Sequence, residues 1–231
     1  MVAVARTPQS LEALRAEITN KGGRCEILAA DATEHDAPHK SVDLAAKRYG
    51  RLDALIYSAG AARASDLTSL DVEIWKYHLE LMLHAPIRFV QAAFGHLERS
   101  GNGRIIFVVS TAARQPTGAI DYDTAKVSLL AVAKTLSIDL APRNILVNCI
   151  CPGSIETPLW LSSGGIADQL AEMSQTSREK ILEGVIGNIP LRRFGRPSEI
   201  AAVMAFMVSP RNSYMTGASI VVDGGSLKGL P

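Results

Sequence analysis

Long apolar runs and an excess of one charge are both missing from this sequence. Its 231 residues carry 24 Lys and Arg against 23 Asp and Glu, with no basic stripe or block of like charges. Nucleic acid and anionic membrane surfaces are therefore poor candidates for partners. Apolar runs such as residues 129–133 are too short to span a bilayer, and polar residues follow Met1 almost at once. We expect a soluble, cytoplasmic protein.

Cysteine is scarce as well. The chain has three cysteines, Cys25, Cys149 and Cys151, an odd number that matches no zinc-binding spacing. Cys149 and Cys151 are two residues apart in a strand-like run, so they share one face of the strand. Packing explains such thiols better than redox chemistry does. The sequence therefore predicts no metal site.

Short β-branched runs alternate with longer helical stretches along the whole chain. This alternation is typical of a parallel sheet that helices cover on both faces. No repeat or linker divides the sequence, so it predicts one α/β domain over 1–231, a doubly wound sheet of the Rossmann type. Strands are predicted at 2–5, 25–29, 54–57, 105–109, 145–150 and 219–222. Helices are predicted at 10–20, 38–49, 71–98, 122–140 and 197–208.

The predicted helix 71–98 is apolar nearly all round. Asp71 can cap it, and apolar residues then occupy every side between positions 74 and 94. One sheet covers only one face of a helix, so the other face needs a second partner, most simply another subunit. The pattern therefore predicts a homodimer or a homotetramer.

A tyrosine and a lysine lie four residues apart on the predicted helix 122–140, so Tyr122 and Lys126 are neighbours on one face. A phenol has a pKa of about 10, and a cation held beside it favours the phenolate and brings that pKa toward the working range of an acid–base catalyst. Ser110 ends the preceding strand, where its hydroxyl can point into the crevice at the carboxyl ends of the strands. Together these residues offer an acid–base group, a cation that tunes it, and a hydrogen-bond donor for a carbonyl oxygen.

Further short motifs accompany these residues in order. They are Ser58-Ala59-Gly60 at a strand end, Asn148, the run 152–158, Phe194-Gly195-Arg196-Pro197, Thr216-Gly217 and Val222-Asp223-Gly224-Gly225. With this set the chain resembles the short-chain dehydrogenase/reductase family over essentially its whole length. It is most similar to the branch of the 3-oxoacyl-carrier-protein reductases.

The resemblance implies a role for each matching residue. Tyr122 would be the acid–base group, Lys126 would hold the nicotinamide ribose, and Ser110 would orient the carbonyl. The other cofactor-binding positions would be Pro152, Gly153, Ile155 and Thr157 at the nicotinamide, Asp31 and Ala32 at the adenine, and Ala59 and Gly60 under the adenosine ribose.

The end of the first predicted strand bears on the choice of cofactor. In dinucleotide-binding folds an acidic residue at such a strand end binds the ribose hydroxyls of NAD. This chain has Ala5 there, followed by Arg6, whose guanidinium can hold a phosphate through two parallel hydrogen bonds. The sequence therefore predicts that NADP(H) is preferred over NAD(H). A plain solvated arginine is the alternative interpretation of Arg6.

The chain departs from the family pattern at its beginning. The family opens with a strand and a glycine-rich turn whose backbone N–H groups hold the pyrophosphate, and nothing before Val2 supplies them. We expect that the family's first strand and helix are missing because the sequence starts at an internal methionine of a longer protein. The alternative is that the remaining strands close up around the gap.

The long helix carries a second departure. Met82 stands where an asparagine usually kinks the helix and holds a relay water, and Tyr57-Ser58 replaces two asparagines. A thioether does neither job well. We therefore expect proton transfer to be slower or to take another route, through His84.

These observations together predict an NADP(H)-dependent oxidoreductase that interconverts a carbonyl and an alcohol on an apolar small molecule. The segment 159–186 is predicted to be a mobile helical lid with a loose joint at Ser162-Ser163-Gly164-Gly165, and its apolar residues suggest an apolar substrate. Two other functions stay open. One is a non-catalytic binding or scaffolding subunit, which Met82 and the missing turn favour, and the other is a lyase or isomerase on the same fold.

Overall fold

The structure, a computed structural model, describes residues 1–229 and contains parallel strands in two sheets. The strands are β1 Val2–Ala5, β2 Glu26–Ala29, β3 Ala54–Tyr57, β4 Gly103–Val108, β5 Ile145–Pro152 and β6 Ser219–Val222. Strands β1 and β2 form one sheet, and β3, β4, β5 and β6 form the other in that order. The predicted α/β fold with a Rossmann-type parallel sheet is confirmed.

Helices connect consecutive strands, as parallel pairing requires. They are α1 Pro8–Asn20, α2 Ala37–Tyr49, α3 Val72–Leu79, α4 Ala85–Ser100, α5 Ile120–Leu140, α6 Pro158–Leu161, α7 Ile166–Met173, α8 Arg178–Asn188 and α9 Pro197–Val208. A π-helical turn, Glu80–His84, joins α3 to α4. The predicted bounds of β1, β3, β6 and α9 agree with the structure to the residue, and the other predicted elements differ by a few residues at their ends.

The central strands are buried on both faces. On β5, Cys149 and Cys151 point into the main core with α4 and α5, whereas Ile150 points into a second core against α9. This alternation follows from the two-residue period of a strand. The prediction that the two cysteines share one face and serve packing is confirmed.

Helix α2 connects the two sheets. It packs on β1 and β2 and also on α4, which covers β3 and β4. Its buried Ala37 and Val42 belong to the main core of the larger sheet. Within residues 1–229 no strand ladder joins β1 to β3. The expectation that a first strand and helix of the family are missing stays a prediction.

The helix predicted over 71–98 is divided into α3, the π-helical turn and α4. Asp71 caps α3 as predicted, because its Oδ1 accepts hydrogen bonds from the backbone N–H of Glu73 at 2.8 Å and of Ile74 at 3.3 Å. Helix α3 and the π-helical turn pack on α5, whereas α4 packs on β3, β4 and α2. The chain itself thus covers part of both apolar sides, while Leu83 and Ile87 stay partly exposed. The homodimer or homotetramer stays a prediction.

The predicted lid forms α6, α7 and α8 between β5 and α9. Arg178 joins these helices, because it donates to the Leu161 carbonyl at 2.5 Å and pairs with Asp168 at 3.2 Å. Residues 230 and 231, the end of the predicted domain 1–231, lie outside the described residues. Among the described helices, none has the length and hydropathy that a membrane span requires. Nor do three or more His, Cys, Asp or Glu side chains within 1–229 cluster as metal ligands would.

Candidate active site

A cleft of about 900 Å³ opens at the carboxyl ends of β4 and β5. It lies between these strand ends, the first turn of α5, the loop after β3 and the helices of segment 159–186. Parallel strands end at the same edge of a sheet, so residues far apart in the sequence meet here. The predicted site residues that line the cleft are Gly60, Ser110, Tyr122, Lys126, Pro152, Gly153, Ile155 and Thr157.

The three predicted catalytic residues are brought together in this cleft. Ser110 follows β4 by two residues, and its Oγ accepts a hydrogen bond from the Ala112 N–H at 3.1 Å. Tyr122 and Lys126 lie one turn apart at the start of α5. The Nζ of Lys126 is 5.6 Å from the centre of the Tyr122 ring and donates to the Val108 carbonyl at 2.9 Å. The end of β4 therefore fixes both Ser110 and the lysine head group.

Burial decides the proton affinity of these groups. Loss of solvent raises the pKa of Tyr122, and the nearby hydroxyl of Ser110 only partly counters this. Burial also lowers the pKa of Lys126 to about 8. The net change in the pKa of Tyr122 is therefore upward in this geometry, and the tuning of Tyr122 by Lys126 stays a prediction. Its ammonium lies over the ring and bonds a backbone carbonyl, so desolvation of the phenol dominates.

The space beside Lys126 fits the nicotinamide end of a cofactor. A Cβ on Gly60 would lie 3.6 Å from Lys126 Nζ and 3.7 Å from Met82 Sδ, so the glycine leaves that space open. Lys126 is 4% exposed and forms no ion pair with a carboxylate among residues 1–229. A buried ammonium of this kind needs further hydrogen-bond acceptors, and ribose hydroxyls are suitable ones.

Gly153 allows two backbone segments to approach each other closely. A Cβ there would lie 2.8 Å from the Cβ and 2.9 Å from the Cα of Asp223, which is closer than packed carbons approach. The glycine thus lets β5 end directly against the segment after β6. Together with Pro152, Ile155 and Thr157 it forms the wall of the cleft that the sequence assigned to the nicotinamide.

Four predicted cofactor-binding residues lie outside the lining of the cleft. Arg6 follows β1, its side chain is 70% exposed, and its guanidinium is 3.9 Å from the carboxylate of Asp31. Hydrogen bonds from Thr33 hold the pKa of Asp31 below its usual range. Ala32 and Ala59 pack on the cluster that contains Met82. The positions of Arg6 and Asp31 at the ends of β1 and β2 leave them free to meet the adenosine half of a dinucleotide, so their roles stay predictions.

Met82 is fully buried in the centre of the π-helical turn. The helix is therefore interrupted at this position without an asparagine, although the sequence predicted that a methionine side chain would not kink it. His84 does not reach the cleft: its side chain is 55% exposed and its Nδ1 is 3.1 Å from Glu80. The predicted proton route through His84 is wrong because the π-helical turn directs this side chain to solvent.

Several polar residues near Tyr122 were not predicted from the sequence to belong to the site. Arg63 and Ser65 line the cleft, and His78 and Asp121 form a buried pair next to the tyrosine. Asp121 carried a signal, since it directly precedes Tyr122 in the sequence. The other three lie on α3 or on the loop before it, and only the packing of α3 on α5 brings them close.

The chain is similar to known reductases over nearly its whole length. The family model described as Enoyl-(Acyl carrier protein) reductase matches residues 1–226. The short-chain reductase protein NovJ of Streptomyces niveus is 33% identical over 97% of this chain and 83% of its own length. The 3-oxoacyl-[acyl-carrier-protein] reductase FabG of Thermotoga maritima is 31% identical over 94% of this chain and 83% of its own length.

Solved protein structures with the same fold are also similar to this chain. L-sorbose reductase from Gluconobacter frateurii, in complex with NADPH and L-sorbose, superposes with a TM-score of 0.90. It is 30% identical, and the match covers 99% of this chain and 87% of that chain.

Proposed function

Because the chain belongs to the short-chain dehydrogenase/reductase family of NAD(P)-dependent oxidoreductases, we propose that it interconverts a carbonyl and an alcohol on an apolar small molecule, with NADP(H) as the preferred cofactor. The observation that carries this proposal is the meeting of Ser110, Tyr122 and Lys126 in one cleft whose other walls are largely apolar. A phenol, a hydroxyl and a buried ammonium in one cleft are the groups that proton transfer to a carbonyl oxygen needs.

The chemistry divides between the cofactor and the chain. A bound nicotinamide supplies or takes the hydride. Ser110 donates a hydrogen bond to the carbonyl oxygen and holds it near Tyr122. Tyr122 gives that oxygen its proton in the direction of reduction, and burial keeps the phenol protonated for this step. Lys126 would hold the ribose of a bound cofactor through Nζ, and the helices of segment 159–186 would exclude water.

An apolar substrate is supported by the lid side of the cleft. No Asp or Glu is among the described residues that line the cleft. Its lid wall is formed by Leu159, Trp160, Ile166, Leu170 and Val185. Such side chains would leave the hydroxyls of a sugar without partners. In a panel of carbonyl compounds we expect turnover of a bicyclic ketone and of a 3-oxoacyl thioester to exceed that of L-sorbose, the ligand of the structural relative.

NADPH preference is supported by Arg6, whose exposed guanidinium stands at the end of β1 beside Asp31. The test is a fluorescence titration of the chain with NADPH and with NADH. We expect saturable binding that is about 10- to 100-fold tighter for NADPH, because charge-assisted hydrogen bonds to a phosphate are worth about 1.5–3 kcal/mol. Arg6→Ala should abolish the difference, whereas Arg15→Ala on α1 should keep it. No binding by a folded chain would overturn the proposed function, and equal affinities would overturn only the role of Arg6.

Met82 favours a second candidate, a subunit that binds the cofactor without turnover. Its thioether fills the position beside Lys126 where a proton relay would need a polar group. NADPH binding without oxidation of NADPH by any carbonyl in the panel would select this candidate. Saturable turnover of any of them would exclude it.

A further inference from the structure

A buried histidine and a buried aspartate lie beside Tyr122 and take no part in the mechanism above. His78 on α3 is 3% exposed and Asp121 on α5 is 0% exposed. The Nδ1 of His78 is 3.1 Å from Oδ2 of Asp121. Burying a carboxylate costs several kcal/mol unless hydrogen bonds and charges compensate it. Such a pair next to a reacting tyrosine therefore needs a physical reason.

The carboxylate of Asp121 joins three parts of the chain. Its Oδ1 accepts the backbone N–H of Tyr122 at 2.9 Å and the hydroxyl of Ser65 at 3.1 Å. Its Oδ2 faces His78. The first of these donors lies in the first turn of α5, where backbone N–H groups lack helical partners and favour a negative charge. Asp121 thus ties the start of the catalytic helix to α3 and to the loop after β3.

The protonation of His78 suits this arrangement. Burial lowers the pKa of His78, and the nearby charge of Arg63 lowers it further, although Asp121 acts in the opposite direction. The imidazole is therefore neutral near pH 7, and its single proton is best placed on Nδ1, toward the carboxylate. The contact does not meet hydrogen-bond geometry, so neither Nδ1 nor Oδ2 has a hydrogen-bond partner among the described residues. The pair is held by the attraction between the carboxylate of Asp121 and the imidazole at 3.1 Å.

The loop held by Asp121 also forms a wall of the cleft. Residues 60–65 all line it. At Ala64 the backbone N–H donates to Oε1 of Gln169 on α7, at 2.9 Å. One residue later, Ser65 donates to Asp121. The loop is therefore held on one side by the lid and on the other by the residue that precedes Tyr122.

We propose that His78 and Asp121 are positioning residues that hold the first turn of α5 and the 60–65 loop in register, so that Tyr122 keeps its place opposite Ser110. The inference rests on the proposed function in so far as Tyr122 is the proton donor. The positioning itself can be measured without turnover.

The test compares His78→Leu, which removes the donor, with His78→Asn, whose side-chain N–H₂ can take the place of Nδ1–H. Hydrogen–deuterium exchange is followed in peptides that cover residues 60–65 and 119–124. In His78→Leu we expect exchange to be about tenfold faster in both peptides, because the buried carboxylate of Asp121 loses the polar group that faces its Oδ2. A peptide over 145–150 in the core of β5 should not change. His78→Asn should stay close to the parent, as should His39→Leu, which alters an exposed histidine on α2.

Unchanged exchange in His78→Leu, or equal acceleration in His78→Leu and His78→Asn, would overturn the proposal. If His78→Leu does not fold, Ser65→Ala replaces it. Exchange should then accelerate in 60–65 and less in 119–124, and no acceleration in 60–65 would count against the proposal.

Turnover supplies the second readout. With a carbonyl that the parent reduces, His78→Leu should lower kcat about tenfold or more and leave the affinity for NADPH unchanged, because misplacing a reacting group by about 1 Å can cost about 100-fold. His78→Asn should restore most of kcat. If the parent protein neither binds NADPH nor reduces a carbonyl, the proposed function is wrong. The exchange data would still decide whether His78 and Asp121 hold this part of the structure.

Discussion

Tyr122 and Lys126 are both displaced from their ordinary proton affinities by the same cause, loss of solvent. Desolvation disfavours the charged form, so the pKa of the phenol rises and that of the ammonium falls to about 8. At neutral pH the tyrosine is therefore protonated and the lysine is largely charged. This combination suits the proposed reduction of a carbonyl, with a proton ready to leave the phenol and a cation beside the proposed cofactor site.

Removal of the phenol hydroxyl tests the acid directly. Tyr122→Phe should lower kcat for carbonyl reduction by about 10²- to 10⁴-fold, the usual contribution of a positioned general acid, and should leave the affinity for NADPH nearly unchanged. Assays of NADPH oxidation with the best carbonyl of the panel measure kcat, and fluorescence titration measures the affinity for NADPH. Tyr49→Phe, on α2 outside the cleft, is the matched control. Full turnover in Tyr122→Phe would remove the tyrosine from the mechanism.

Lys126 also makes stability depend on pH. Its pKa in the folded chain, about 8, lies below the ordinary value of 10.5, so the unfolded chain binds more protons between these two pH values. The free energy of unfolding should therefore rise with pH through this window and fall as pH drops toward 8. Relative to Lys126→Met, the gain from pH 8 to pH 10.5 should be on the order of 3 kcal/mol.

Urea unfolding of both proteins at several pH values measures this difference, since other groups cancel between them. Parallel curves for the parent and Lys126→Met would show that the lysine is not desolvated as the structure has it.

At the scale of elements, the interruption between α3 and α4 shows how a helix can be bent without the family's asparagine. Ala85 donates its N–H to the carbonyl of Glu80, five residues back, which is the π-helical pattern. The next residue, Pro86, has no N–H to give to Leu81. The Leu81 carbonyl accepts instead the hydroxyl of Tyr57 at 2.7 Å. Pro86 leaves the Leu81 carbonyl without an N–H donor. The hydroxyl of Tyr57, which stands on β3 in place of an asparagine, donates to that carbonyl instead.

This explanation predicts a cost for removing one oxygen atom. Tyr57→Phe should lower the free energy of unfolding by about 1–3 kcal/mol, because the Leu81 carbonyl would stay buried without a donor. Chemical denaturation gives the value. Tyr214→Phe is the control, since Tyr214 is 98% exposed and should change stability by less than about 0.5 kcal/mol. A neutral Tyr57→Phe would mean that the hydroxyl does not stabilise the turn.

At the scale of the whole molecule, the larger sheet separates two apolar cores and carries the cleft at one edge. The outer face of α5, the helix that bears Tyr122, still exposes apolar side chains. Val127 is 49% exposed and Ile138 is 71% exposed. Apolar side chains that share an exposed helix face are typical of a surface that another subunit covers. These two side chains add support to the predicted homodimer or homotetramer, which stays a prediction.

Light scattering tests the oligomer at micromolar concentration. We expect a mass of two or four chains for the parent, and a lower mass for Ile138→Lys, because a charge in a packed apolar interface lacks a partner. Lys47→Glu on α2, at an exposed position, gives a charge control away from α5. A monomeric parent would refute the oligomer and leave the cleft as described.

The sequence by itself determined the order of strands and helices and the family, and it predicted three residues, Ser110, Tyr122 and Lys126, that meet in the cleft. These features depend on local periodicity and on residues that are four apart or end a strand, so they can be read from neighbours in the chain. The sign of the Tyr122 pKa change, the satisfied π-helical turn and the His78–Asp121 pair could not be read this way. Each depends on desolvation or on contacts between residues more than twenty positions apart, such as Tyr57 with Leu81 and His78 with Asp121. Only the packing of α3, the π-helical turn and α5 brings these groups together and removes them from water.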